Sequence, residues 1–89
     1  MFIVYILHTS ANTLYIGQTN NLPQRLKEHA SKSSKSAKYM RYFSSFKLVY
    51  SESYKNRIDA MRRELQLKRW SRAKKEAIIA GNLELLKKL

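Results

Sequence analysis

The chain has 89 residues, 44% of them hydrophobic, which suits one small globular domain spanning 1–89 and excludes a disordered chain. Its 18 Lys and Arg against 6 Asp and Glu give a net charge of +12, so the natural partner is a polyanion, with nucleic acid first in line. The absence of cysteine excludes disulfides and Cys-based zinc sites, only His8 and His29 remain as imidazole ligands, and no apolar run has the length of a membrane span.

Phe2 to Leu7 is a continuous apolar, β-branched run and reads as a strand buried on both faces. It is too short for a signal peptide and has no basic segment before it, so a cytoplasmic protein is expected. His8 to Thr13, containing Asn12, reads as a hairpin turn, and Leu14 to Thr19 as the antiparallel partner. Tyr5 and Tyr15 fall on the two arms, and the register decides whether they share a face. The stretch from Tyr15 to His29, Y-I-G-Q-T-N-N-L-P-Q-R-L-K-E-H, passes from strand to helix. Gly17 leaves one strand face open, and Asn21 with Gln24 has the spacing of a capping box. Leu22, Leu26 and Ala30 form a stripe expected to face the core, with Arg25 and His29 together on a neighbouring face. A cation and an imidazole flanking a strand with a tyrosine and a bare glycine look like a phosphate site.

Ser31 to Lys38 is Ser- and Lys-rich without apolar periodicity and reads as a basic loop presenting Lys32, Lys35 and Lys38. Tyr39 to Phe43 mixes aromatics with Arg41, a combination that stacks on bases or fills a core. Phe46 to Ser53 alternates, with Phe46, Leu48 and Tyr50 on one face, and reads as a half-exposed third strand. Asn56 can cap a helix to about Arg69 with a core stripe at Ile58, Met61 and Leu65, a weaker apolar side at Ala60 and Leu67, and Glu64 between them. Ser71 can cap a further helix ending at Gly81, and Asn82 starts a last turn or two. The expected architecture is α+β: a small three-stranded antiparallel sheet flanked by helices, packed on one side.

The series V-Y-I-L with Tyr5, L-Y-I-G with Tyr15 and Gly17, R-L-K-E-H with Arg25 and His29, K-Y-M-R with Tyr39 and Arg41, and A-M-R-R-E-L-Q-L-K-R-W-S-R-A-K-K with Glu64 resembles the GIY-YIG nuclease superfamily, in its small stand-alone form related to the nuclease domain of the UvrC repair protein. The resemblance covers nearly the whole chain. It departs at the first motif, which reads Ile3-Val4-Tyr5 without a glycine, and in the Ser- and Lys-rich loop after His29. It implies a magnesium or manganese ion on Glu64, a water deprotonated with the help of Tyr5, assistance from Tyr15 and His29, charge stabilisation by Arg25, and support from Gly17 and Asn82. DNA is the implied substrate, with no membrane and no small-molecule cofactor; the charge and aromatic content of the chain itself put Lys32, Lys35, Lys38, Tyr39 and Arg41 on its backbone or bases. So small a domain leaves specificity to the basic loop, to DNA shape or to a partner protein.

The chemistry asks for the same residue types. Arginine matches phosphate, a carboxylate-held metal activates water or stabilises a leaving oxygen, and a tyrosine with an ordinary pKa of about 10 needs a nearby cation to act as a base. The plainer readings are strand core for the two tyrosines, an exposed helix face for Arg25 and His29, a salt bridge from Glu64 to Lys68 four residues on, and a helix cap for Asn82. The rivals to a metal-dependent endonuclease are a catalytically silent basic nucleic-acid-binding module and a ribosome-associated basic protein. Convergence of Tyr5, Tyr15, Arg25, His29 and Glu64 in one cleft separates the first reading from the others.

Overall fold

The computed structural model describes residues 1–31 and 45–88. Lys32, Lys35, Lys38, Tyr39 and Arg41 lie outside the described residues.

The centre of the fold is strand β1 (Phe2–Thr9), paired antiparallel with β2 (Leu14–Thr19) on one side and β3 (Phe46–Tyr54) on the other. Val4, Tyr5, Ile6 and Leu7 are fully buried, as an unbroken apolar run in a central strand should be. The sheet is covered on both faces rather than on one. Helix α1 (Leu22–Ser31) packs Leu22 and Leu26 against the face of Tyr5 and Leu7. Helices α2 (Arg57–Arg69), α3 (Arg72–Ala80) and α4 (Leu83–Lys88) cover the opposite face, where Ala60, Leu67 and Ile78 meet Val4, Ile6 and Ile16. Each of the larger apolar side chains buried there contributes roughly 1.5–3 kcal/mol of transfer free energy.

The caps form at the expected residues. Asn21 Oδ1 accepts from Gln24 N at 3.2 Å, but the reciprocal half of the capping box is supplied from outside: Thr19 Oγ1 accepts from Asn21 N at 3.1 Å. Asn56 and Ser71 cap α2 and α3, and Gly81 ends α3 in the left-handed conformation at φ 72°. Asn82 Oδ1 accepts from Leu85 N at 3.0 Å and so caps α4. The hairpin turn is shorter than expected, because His8 and Thr9 remain in β1. Asn12 takes φ 62° at its tip, and Arg72 of α3 donates to the Asn12 carbonyl and to Oδ1.

Three expectations about packing are corrected. Ala30 is exposed, and the inward stripe of α1 is Leu22, Leu26 and His29. The β3 alternation is broken by a bulge: Ile6 pairs with Tyr50 and Leu7 with Leu48, so Val49 is an extra residue. Phe46 therefore faces α1 while Val49 and Tyr50 pack on the other side. On α2, Ile58, Met61 and Leu65 are 63%, 42% and 53% exposed, and the weaker side, Ala60 and Leu67, is the buried one. Polar partners on the sheet decide this orientation. Arg63 reaches down to Glu52 of β3, Nε to Oε1 at 2.5 Å, and the small Ala60 lets the helix backbone approach. Glu52 also accepts from Tyr50 at 2.5 Å and Tyr54 at 2.7 Å, and Trp70 lies between Arg63 and Lys74, with the cations 5.0 and 4.8 Å from its ring centre.

Candidate active site

The β1–β2 register places Tyr5 opposite Gly17 and Leu7 opposite Tyr15. Side chains of one strand alternate faces, so Tyr5 and Tyr15 share the face covered by α1. Their ring centres lie 6.4 Å apart at 41°. The Tyr5 side chain runs across Gly17: a Cβ on that glycine would sit 2.6 Å from the Tyr5 hydroxyl and 2.8 Å from Cζ. Gly17 is thus required for space; the positive-φ glycine among the described residues is Gly81.

Helix α1 brings the next two groups. His29, 1% exposed in the last turn, sets Nε2 3.1 Å from the Tyr5 oxygen. Its ring stands edge-on to Tyr15 at 5.5 Å and to Phe46 at 6.0 Å. Arg25, one turn earlier, interacts with the hydroxyls of both Tyr5 and Tyr15, and its Nη1 lies 3.8 Å from Glu28. Among the described residues, His29 Nδ1 and Gln18 Oε1 are buried without a hydrogen-bond partner. A buried polar atom left unpaired costs about 1–3 kcal/mol, a penalty that marks sites kept for something other than stability.

Burial sets the electrostatics. It pushes the Tyr5 hydroxyl up to about 12, reinforced by Tyr15 and only partly opposed by Arg25. The expected cation is therefore present but outweighed. His29 is lowered from its ordinary value, first by burial and then by the neighbouring Arg25 charge, so it is neutral at neutral pH rather than a second cation. Burial works against the Arg25 charge, yet the tyrosine hydroxyls raise its pKa overall.

Glu64 comes from α2, across the sheet edge formed by β2, and its charge is felt at Tyr5. It also makes the plain i,i+4 bridge, Oε2 3.5 Å from Lys68 Nζ. Among the described residues no group of three or more His, Cys, Asp or Glu converges. A lone carboxylate beside a substrate phosphate still fits magnesium, which keeps several waters and takes only one or two protein carboxylates. The structure thus brings Tyr5, Tyr15, Gly17, Arg25 and His29 together with Glu64 in electrostatic reach. Asn82 is spent on capping α4, on the helical layer of the opposite face. Phe46 is legible in the sequence only as a strand residue; the bulge that turns it onto His29 has no signature there.

A family model of the GIY-YIG catalytic domain matches residues 1–77. A UPF0213 protein of Natronomonas pharaonis is 40% identical over 77 residues, covering 86% of this chain and 88% of the relative. One from Syntrophus aciditrophicus is 42% identical over 81 residues, covering 91% and 92%. The solution NMR structure of a UPF0213 protein from Bacillus halodurans superposes with a TM-score of 0.58 at 38% identity, over 100% of this chain and 97% of that one. The tyrosine pair across Gly17, the helix with Arg25 and His29, and these matches lead to one conclusion: the chain belongs to the GIY-YIG catalytic domain family, a family of nucleases, in its small UPF0213 form.

Proposed function

We propose that this protein is a divalent-metal-dependent endonuclease that hydrolyses DNA phosphodiester bonds, selecting DNA structure rather than sequence, in repair or processing of DNA. The observation that carries the reading is the Tyr5 hydroxyl, threaded over Gly17 to within 3.1 Å of His29 Nε2, with Arg25 on it and Glu64 in range. A tyrosine pushed up to about 12 does not ionise unaided near neutrality. Its neighbour is a buried imidazole held below its ordinary pKa, with Nε2 3.1 Å from the tyrosine oxygen, and the tautomer protonated on Nδ1 is the one that lets Nε2 accept. In this reading His29 takes the Tyr5 proton, the tyrosine oxygen takes one from water, and the water oxygen attacks phosphorus as the opposite P–O bond breaks. Tyr15 holds Arg25 and the Tyr5 ring in place, and Arg25 meets the charge growing on the phosphoryl oxygens. Glu64 holds a magnesium or manganese ion, which when bound supplies Lewis-acid stabilisation of the phosphoryl and leaving oxygens. Lys32, Lys35, Lys38, Tyr39 and Arg41 add backbone and base contacts, with any further specificity coming from a partner protein.

The test is cleavage of branched, nicked and single-stranded DNA with and without magnesium or manganese. Cutting that needs the metal and prefers one DNA structure is the expected result. Binding of all three substrates without cutting at any metal concentration would establish the silent binding module instead.

A further inference from the structure

We infer that the open edge of β2 is a track for a nucleic-acid backbone, with one phosphate-binding cleft at each end of it, Arg25 of the candidate site lining one and Tyr15 the other. This rests on the nuclease reading and adds the path of the substrate to it. Two clefts open along this edge. One, of about 440 Å³, is lined by Phe2, Gln18, Thr19, Asn20, Arg25 and Arg57. The other, of about 260 Å³, is lined by Leu14, Tyr15, Ile16, Lys68 and Lys75. Each joins cations from two different elements, Arg25 of α1 with Arg57 of α2, and Lys68 of α2 with Lys75 of α3. Among the described residues no carboxylate lines either one. A third cleft, at the hairpin tip, contains Arg72 and Glu76, which are paired with each other at 3.1 Å.

Two independent rulers bracket the spacing. Tyr15 and Thr19 are four strand steps apart, roughly 13 Å at about 3.3 Å per residue. Arg57 and Lys68 sit at the two ends of α2, eleven helical steps or roughly 17 Å apart at about 1.5 Å per residue. Helix and strand therefore lie side by side, with Glu64 on the helix and Gly17 on the strand between the clefts. The span corresponds to about four to five nucleotides at roughly 3.4 Å of rise each. Arg25 and Lys68 are already in ion pairs with Glu28 and Glu64, whereas among the described residues Arg57 and Lys75 are in none. These two cations carry the proposal, because no described carboxylate takes up their charge. Nothing in the sequence distinguishes either from the other basic residues.

The experiment measures equilibrium binding of DNA to the full chain across a salt series, for the parent, Arg57→Gln, Lys75→Gln, the double variant, and Lys47→Gln on the opposite sheet edge. Removing one phosphate interaction lowers the slope of log K against log salt by about 0.7–0.9. The track predicts that drop for each of Arg57→Gln and Lys75→Gln, about twice the drop for the double variant, and no change for Lys47→Gln. If the parent cuts DNA and the Arg57 and Lys75 variants keep its slope, the track is wrong and the nuclease reading stands. Equal drops for all three single variants would mean diffuse binding with no track. A parent that neither binds nor cuts DNA overturns both. A parent that prefers RNA and shows the same two drops keeps the track and changes its occupant, contradicting the DNA assignment.

Discussion

Two tyrosine clusters occupy opposite faces of the same three-stranded sheet, and they are wired differently. On the face under α2, Tyr50 and Tyr54 both donate to Glu52, and Arg63 closes the set. Burial opposes the Glu52 charge, yet Arg63 and the two hydroxyls hold its carboxyl below the usual range. Donors and acceptor are matched, and the cluster ties β3 to α2. On the face under α1, Tyr5 and Tyr15 meet Arg25 and a neutral histidine whose Nδ1 is buried and, among the described residues, unpaired. Its carboxylates sit at the margin: Glu28 lies 3.8 Å from Arg25 on α1, and Glu64 is felt at Tyr5 from α2. A polar cluster built for stability saturates itself. One that must exchange protons with a substrate keeps a group neutral, a nitrogen unpaired and a cation beside them.

The contrast breaks most sharply at Tyr5. Tyr5→Phe keeps the ring across Gly17 and removes the hydroxyl from His29. Cleavage under saturating DNA should fall by about 10²–10⁴, the usual worth of a positioned proton-transfer group. Single-turnover rates measure it, and a fall smaller than roughly threefold would place the proton transfer elsewhere.

Gly17→Ala comes next. Its methyl would overlap the Tyr5 hydroxyl, which must move by several tenths of an ångström or more. A displacement of about 1 Å at the reacting group can cost on the order of a hundredfold in rate. DNA affinity should hold while turnover drops, and the two measured together separate displacement from loss of binding. Unchanged turnover would show that Tyr5 need not pass over residue 17.

The smallest effect on cleavage belongs to the other cluster. Glu52→Gln removes the charge that Arg63 and the tyrosines share, which should destabilise the fold by about 1–3 kcal/mol and leave turnover of the folded protein unchanged. The Glu52 pKa is depressed in the folded state, so its contribution is fully present above its ordinary value near 4.5 and is lost as pH falls through the lowered one. Melting curves of parent and variant should differ at neutral pH and converge in strong acid. A variant that melts like the parent at neutral pH would show that the network adds no net stability.

Much of the fold is legible in the residues themselves. The caps at Asn21, Asn56 and Ser71 follow from side chains that accept from the backbone three residues on, a local interaction that the sequence displays. The burial of β1 follows from its unbroken apolar run. The choice between the two sides of α2 is not local. Apolar content favours Ile58, Met61 and Leu65, and the reach of Arg63 to Glu52 on the sheet goes with the opposite side facing in. Phe46 departs from its expected face for a similar reason, since the bulge at Val49 depends on pairing with β1. Around the candidate site, the motif series that resembles the family names Tyr5, Tyr15, Gly17, Arg25 and His29, and helix spacing alone puts Arg25 and His29 on one face. Neither is enough for Arg57 and Lys75, whose meaning comes from α2 lying beside β2, a tertiary fact.

The metal mechanism turns on Glu64, which stands 3.5 Å from Lys68 like any helix salt bridge and is also felt at Tyr5. Its decisive measurement is magnesium-dependent DNA cleavage by Glu64→Gln, with melting and DNA binding followed on the same sample. A nuclease built on this carboxylate predicts a folded variant that binds DNA at least as well as the parent, because a negative charge has left a basic surface, and cuts almost nothing at any magnesium concentration. Retained cleavage, with stability lower by only a few tenths of a kcal/mol, about the worth of an exposed helix pair, would reduce Glu64 to a salt-bridge partner and contradict the metal mechanism.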